Sequence, residues 1–310
     1  MVRSADARAS DRLGVMMRVR VWWLAAVMGL LAVMLAACDD DAADEEAEDA
    51  PDEEAEDEED EEDQNAPDEE AEVDTGDLEL AEDGEMLVGS DLEFPPFEFI
   101  DDDGEPDGFD IDLMNEIADR LGVEVEFQDA SFDTIFTQLA SDEFDTIISA
   151  ITITEERMET IDFTDPYFAA NQALVVVEDS DIAGVDDLDG ADVGAQAGTT
   201  GLDYATENFT ESEIVEYDSY PAAFSALEGD QIDAVLGDLP VASEAAEDSD
   251  ALDLVEEVDT GEEYGIGVQQ GADNLRAAIS DAIAEIIEDG TYEEIYTEWF
   301  EGEVPEQFRN

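Results

Sequence analysis

From residue 86 onward, short apolar runs alternate with stretches whose apolar residues recur at helical spacing. Residues 86–89 predict a strand, 109–121 an amphipathic helix that stops before Gly122, and 123–127 a second strand. A helix over 133–140, a strand at 146–148 and a helix over 154–161 follow. The β-branched run 173–177 predicts a buried strand. The alternation then resumes with strand 193–195, helix 200–208, strand 214–217, helix 222–228 and strand 234–236. Another apolar run spans 264–268. The pattern closes with a helix over 275–288, Gly290 as its stop, and a short aromatic helix at 292–300. Such alternation predicts an α/β fold with parallel-rich sheets flanked by helices. Two alternating blocks with a return segment predict two lobes joined by a double crossover, the second inserted into the first. Ligands of such folds bind in crevices beyond the carboxyl ends of the strands. There is no internal repeat and no Gly-rich phosphate loop.

The N-terminal part follows other rules. Arg18 and Arg20 precede the apolar run 21–37, which is the length of a signal h-region and short for a membrane span. The run ends in Leu35-Ala36-Ala37-Cys38, which resembles the bacterial lipobox, so residues 1–37 are expected to be a lipoprotein signal and Cys38 the lipidated residue. An uncleaved signal anchor is the competing reading, and Met16 or Met17 is an alternative start. Residues 38–84 are mostly Asp and Glu with scattered Ala and Pro. Such a segment cannot bury enough apolar surface to offset chain entropy, and is expected to be a disordered tether. It lacks the glycine and ligand spacing of a calcium loop.

Composition narrows the chemistry. The chain holds 93 acidic and 9 basic residues, for a formal net charge of −84. In dilute buffer that charge repels itself, whereas at about 1 M salt the Debye length falls to about 3 Å. A salt-loving source is expected. The folded part should melt at lower temperature as KCl is withdrawn; thermal denaturation across a KCl series checks this, and a salt-independent midpoint would contradict it. Cys38 is the lone cysteine and there is no histidine, so zinc and iron–sulfur sites lack their usual ligands. No metal, cofactor or nucleic-acid partner is expected.

Every basic residue is arginine, and four follow Cys38. Read as helical, Arg120 has Glu116 four positions back, while Arg276 has Asp273 and Arg309 has Glu306 three back. Arg157 has only Ile153, Thr154, Thr160 and Ile161 at those positions. It follows Ser149, Ala150 and Thr152 at an expected helix start, where free N–H groups favour an anion. Its guanidinium can grip a carboxylate with two hydrogen bonds. Gln196, Thr199 and Thr200 mark a second start of the same character. Either set also reads as ordinary helix capping. Asp238, after a strand, caps a helix or meets a ligand ammonium, and Asp91 carries the same ambiguity. Phe94 and Phe132 are placed to stack on a ligand or to join the core with Phe97 and Phe99. Tyr292, Tyr296, Trp299 and Phe300 fall at helical spacing and read as packing.

Several ordered motifs carry a family resemblance. They are Phe94-Pro95-Pro96-Phe97-Glu98-Phe99, Gly108-Phe109-Asp110-Ile111-Asp112-Leu113, Ile151-Thr152-Ile153-Thr154-Glu155-Glu156-Arg157 and Ile161-Asp162-Phe163-Thr164-Asp165-Pro166-Tyr167. Gly198-Thr199-Thr200 and the closing stretch from Gly290 to Phe300 complete the set. Together they resemble family 3 solute-binding proteins, the polar amino-acid receptors of ABC importers. The resemblance implies a type II periplasmic-binding-protein-like fold, with lobe 1 at 85–166 and 265–310, lobe 2 at 171–262, and hinge strands near 167–170 and 263–264. It implies that Arg157 clamps an α-carboxylate with Thr152 and Thr200, and that Asp238 takes the α-ammonium with backbone near Ser149 and Ala150. Asp91, Phe94, Phe132 and Gln196 resemble the family's side-chain contacts. The implied protein is a monomeric, lipid-anchored receptor on the outer face of the cell membrane, delivering an amino acid to permease subunits. The family's basic docking surface is missing here. A cyclohexadienyl dehydratase-like enzyme and a ligand-binding sensor are the alternatives; a non-enzyme is expected.

Overall fold

The computed structural model describes Leu78, 80–82 and 84–310. The expected signal, Cys38 and nearly all of the tether lie outside those residues. In chain order the structure begins with β1 (Glu85–Ser90), β2 (Glu93–Phe94), β3 (Glu98–Ile100), β4 (Pro106–Asp107) and α1 (Phe109–Leu121). It continues with β5 (Glu124–Asp129), α2 (Phe132–Leu139), β6 (Thr146–Ile147), β7 (Asp162–Phe163) and β8 (Phe168–Val177). Next come β9 (Asp192–Gln196), α3 (Thr200–Asn208), β10 (Glu213–Tyr217), α4 (Tyr220–Glu228) and β11 (Ala234–Asp238). The last elements are α5 (Leu239–Asp248), β12 (Leu252–Tyr264), β13 (Gly267–Val268), α6 (Asp273–Asp289) and α7 (Thr291–Trp299).

Two five-stranded sheets organise these elements, ordered β5-β1-β6-β13-β7 and β10-β9-β11-β8-β12. In each, the first three strands and the last run in one direction, and the fourth, β13 or β8, runs antiparallel to both its neighbours. The strands β2, β3 and β4 form a small separate sheet. The chain passes between the halves on two neighbouring strands, where Phe168, Ala169 and Ala170 of β8 face Tyr264, Glu263 and Glu262 of β12.

The helices follow the expected periodicity. Along α1, Phe109, Leu113, Met114, Ile117, Ala118 and Leu121 are buried, and Gly122 ends the helix in the left-handed conformation at φ 69°. Gly290 ends α6 in the same way at φ 90°, because only glycine takes that conformation without a Cβ penalty. An aromatic cluster ties α7 to the crossing. Phe97 lies 5.0 Å from Phe168, 5.5 Å from Tyr264 and 5.4 Å from Phe300, measured between ring centres. Tyr292 is buried and donates to the Tyr167 carbonyl at 2.7 Å. The closing aromatics are packing residues, as their spacing suggests.

The helix expected over 154–161 is corrected. Only a 3₁₀ turn, Arg157–Glu159, forms there. Ile161 closes it by bonding to the Arg157 carbonyl, and the chain at once enters β7, which pairs with β13. The turn lies between the Thr152 bridge to Tyr264 and the start of β7.

Candidate ligand-binding site

The candidate residues gather at the carboxyl ends of parallel strands, from both halves of the molecule. Asp91 follows β1, Ser149 to Thr152 follow β6, Gln196 ends β9 and Asp238 ends β11. Each strand places its last side chains at one edge of its sheet, and the two edges meet. Gly198 makes this approach possible: its φ is +77°, and a Cβ there would lie 3.0 Å from the Asp133 Cα on the opposite half.

Arg157 spans the junction. One guanidinium nitrogen donates to the Thr152 carbonyl at 2.6 Å and the other to the Gly198 carbonyl at 3.0 Å. The guanidinium carbon sits 4.8 Å from the Phe136 ring centre and 5.3 Å from that of Phe132, close enough for cation–π attraction. Burial pushes its pKa down, opposed by the charges of Asp238, Glu262 and Asp203. Neither guanidinium hydrogen bond goes to a carboxylate.

Beside it lies a carboxylate that sequence reasoning missed. Glu262, near the end of β12, accepts from the hydroxyls of Thr152 and Thr200, each at 2.7 Å, and from the Gln172 amide at 3.0 Å. The two threonine oxygens, one from each half, are 3.4 Å apart. The same Gln172 amide also donates to Asp238, whose second oxygen accepts from the Tyr264 hydroxyl at 2.7 Å. Burial, followed by the charge of Glu262, raises the Asp238 pKa to about 7; Tyr264, Gln172 and Arg157 oppose the rise. Tyr264 is recoverable from its apolar run. Glu262 carries no sequence signal, being one glutamate among many.

Asp91 anchors the other end. It is buried, and its carboxylate accepts from the Gln196 amide at 2.6 Å. Burial is the main cause that lifts its pKa to about 6; the Gln196 bond lowers it, and Glu93, Asp129 and Asp133 raise it further. The Gln196 Oε1 atom is buried without a protein partner. Phe94 is buried against Tyr220 of the opposite half, with ring centres 5.5 Å apart. Phe132 is buried and packs edge-on against Phe136.

Two candidates use their hydroxyls internally. Thr199 caps α3, accepting from Leu202 N–H at 3.2 Å and donating to the Gln196 carbonyl at 2.8 Å. Ser149 donates to Glu98 at 2.6 Å and accepts from Asp91 N–H at 3.1 Å. Ala150 takes a left-handed backbone at φ 45°, held by its N–H bond to Asp110 at 2.8 Å.

Two α/β halves closing over opposed charges, hydroxyls and aromatic rings define a two-lobed solute-binding protein of the type II periplasmic class. The chain belongs to the bacterial extracellular solute-binding proteins, family 3, whose model matches residues 86–302. It is similar to the L-cystine-binding protein TcyJ of Escherichia coli (strain K12), with 33% identity over 73% of this chain and 86% of that one. It is similar also to the ABC transporter glutamine-binding protein GlnH of Bacillus subtilis (strain 168), with 35% identity over 66% of this chain and 76% of the relative. Among solved structures it resembles an ancestral arginine-binding protein bound to arginine: 40% identity, TM-score 0.68, and coverage of 70% of this chain and 98% of that one. These named relatives are binding proteins.

Proposed function

We propose that this protein captures an amino acid with a cationic side chain and hands it to an ABC importer. Charge matching carries the reading. Arg157 meets the α-carboxylate and Asp238 the α-ammonium, which leaves the buried Asp91 carboxylate for a further positive charge. Gln196 Oε1, buried and unpartnered, adds an acceptor for an N–H donor at that end. Glu93, Asp129 and Asp133 deepen the negative potential there. Phe94 and Phe132 flank the ligand's apolar portion.

Each threonine hydroxyl carries one proton, and those of Thr152 and Thr200 both point at Glu262. A ligand carboxylate therefore engages these hydroxyls only as Glu262 gives them up. The lobes, 85–166 with 265–310 and 171–262, close about the paired strands near 167–170 and 263–264. The apolar run ending at Leu35-Ala36-Ala37-Cys38 supports lipid anchoring at Cys38 on the outer face of the membrane, and the acidic composition supports a salt-loving source.

Calorimetry in high salt tests the ligand class. Arginine or lysine is expected to bind at least about tenfold more tightly than glutamine. Asp91→Asn should remove that preference while leaving glutamine binding nearly unchanged. The preference should also fade as pH drops through about 6, because ionised Asp91 attracts the cation and protonated Asp91 does not. Equal affinity for glutamine and arginine in the unmodified protein would overturn the assignment.

A further inference from the structure

Two acids deep in the first half take no direct part in the site above. Glu98 in β3 and Asp110 in α1 are both 0% exposed. Glu98 Oε1 accepts from the Ser149 hydroxyl at 2.6 Å. Asp110 Oδ2 accepts from Ala150 N–H and from the Tyr167 hydroxyl, each at 2.8 Å. The remaining oxygens, Glu98 Oε2 and Asp110 Oδ1, are buried with no other hydrogen-bond partner, and the two carboxyl groups interact with each other.

Among the described residues, no cation is at hand to neutralise them. Arg120 is engaged with Glu116 and Asp289, Arg276 with Asp273, and Arg309 with Glu303. Arg157 is engaged with Thr152 and Gly198. The charged and titratable groups that face the pair are Asp91, Tyr167 and Tyr292. None supplies positive charge. Two adjacent buried carboxylates would suffer both desolvation and mutual repulsion, whereas one proton between them turns repulsion into a hydrogen bond.

We infer that Glu98 and Asp110 share a single proton and together act as a positioning pair for the ligand-binding segment at Ser149 and Ala150. The proton resides on Glu98, which donates it to the Asp110 carboxylate, and burial raises the pKa of both. The Asp110 carboxylate can then hold Ala150 N–H, which fixes that residue at its left-handed φ of 45°. Glu98 holds the Ser149 hydroxyl, and Ser149 in turn receives the Asp91 N–H. A single buried proton thus sets three backbone positions that face the ligand. With a raised pKa, the contribution of Glu98 is complete at low pH and disappears as pH climbs through its folded-state value. The device fails as pH rises.

The inference rests on the amino-acid-binding reading for its consequence, but not for the proton itself, so the two are tested separately. The proton is read by infrared spectroscopy of the full chain in high salt without ligand. At about pH 8, above the values of about 6 for Asp91 and about 7 for Asp110 and Asp238, a protonated-carboxyl carbonyl band is expected, and it should vanish in Glu98→Gln. The absence of that band in the unmodified protein overturns the inference whether or not the variant folds. The consequence is read by arginine affinity between about pH 7 and about pH 10. Glu98→Gln keeps a donor toward Asp110 and an acceptor for Ser149, so it should bind within about threefold of the unmodified protein near neutrality. Because the α-ammonium of arginine also titrates in this range, the readout is the ratio of the two proteins. The unmodified protein should lose about tenfold more affinity than Glu98→Gln on the alkaline side. Parallel losses in both proteins overturn the positioning role. If the band is present but arginine fails to bind at neutral pH, the ligand assignment falls and the shared proton stands.

Discussion

Arg157→Ala should weaken binding of the amino-acid ligand by about a hundredfold, because it leaves a desolvated carboxylate without its charge partner. The guanidinium presents five N–H donors. Two of its hydrogen bonds tie it to the carbonyls of Thr152 and Gly198, which belong to opposite halves. Phe132 and Phe136 hold the plane of the group from 5.3 and 4.8 Å. The remaining donors are therefore pre-oriented rather than free to wander. Arg157→Lys retains the charge but has neither the planar fork nor the same stacking, and its loss should fall between those of the native and alanine proteins. Calorimetry on the three proteins in high salt decides the matter. An alanine variant with native affinity would remove Arg157 from the site.

Gly108→Ala should destabilise the folded part by about 3 kcal/mol or more, the scale of a backbone clash in a region open essentially to glycine alone. Gly108 has φ 136° and ψ 172°. A Cβ built on it would lie 2.1 Å from the Phe97 carbonyl oxygen and 2.8 Å from Glu98 N. These are main-chain atoms, so a rotamer change cannot relieve the overlap. The carbonyls on this segment accept from the next turn: Pro96 O from Phe109 N–H at 3.0 Å and Phe97 O from Asp110 N–H at 2.9 Å. Relaxing the clash would displace Phe97 within the aromatic cluster and Asp110 beneath the binding segment. Urea unfolding in high salt measures the effect, and a change below about 1 kcal/mol would contradict the clash.

Local order was legible wherever a periodic apolar face coincided with a local stop signal. The expected helix 109–121 is α1 to the residue, because its buried positions fall on one face and Gly122 supplies the left-handed end. The expected helix 200–208 also matches α3 residue for residue, although it ends at Phe209 without a left-handed glycine. The helix expected over 154–161 is reduced to the 3₁₀ turn Arg157–Glu159, in a segment flanked by the Thr152 bridge to Tyr264 and by β7. Of the 13-residue strand β12, only the end near 263–264 was expected, and that from the family resemblance. Its Glu256, Glu257, Asp259, Glu262 and Glu263 give no strand-like pattern, and its conformation depends on pairing with β8 across a long stretch of sequence.

By itself, then, the sequence determined the strand–helix alternation, the motifs of the family and the singular status of Arg157. These rest on neighbours a few residues apart or on residue type alone. Only the tertiary structure decided that Arg157 bridges Thr152 and Gly198, that the Thr199 hydroxyl caps α3, and that Glu262 lies against Thr152 and Thr200. It alone distinguished Glu98 and Asp110 from the other acidic residues of the chain. A carboxylate acquires its role from burial and from the donors around it, and both are contributed by segments far away along the chain.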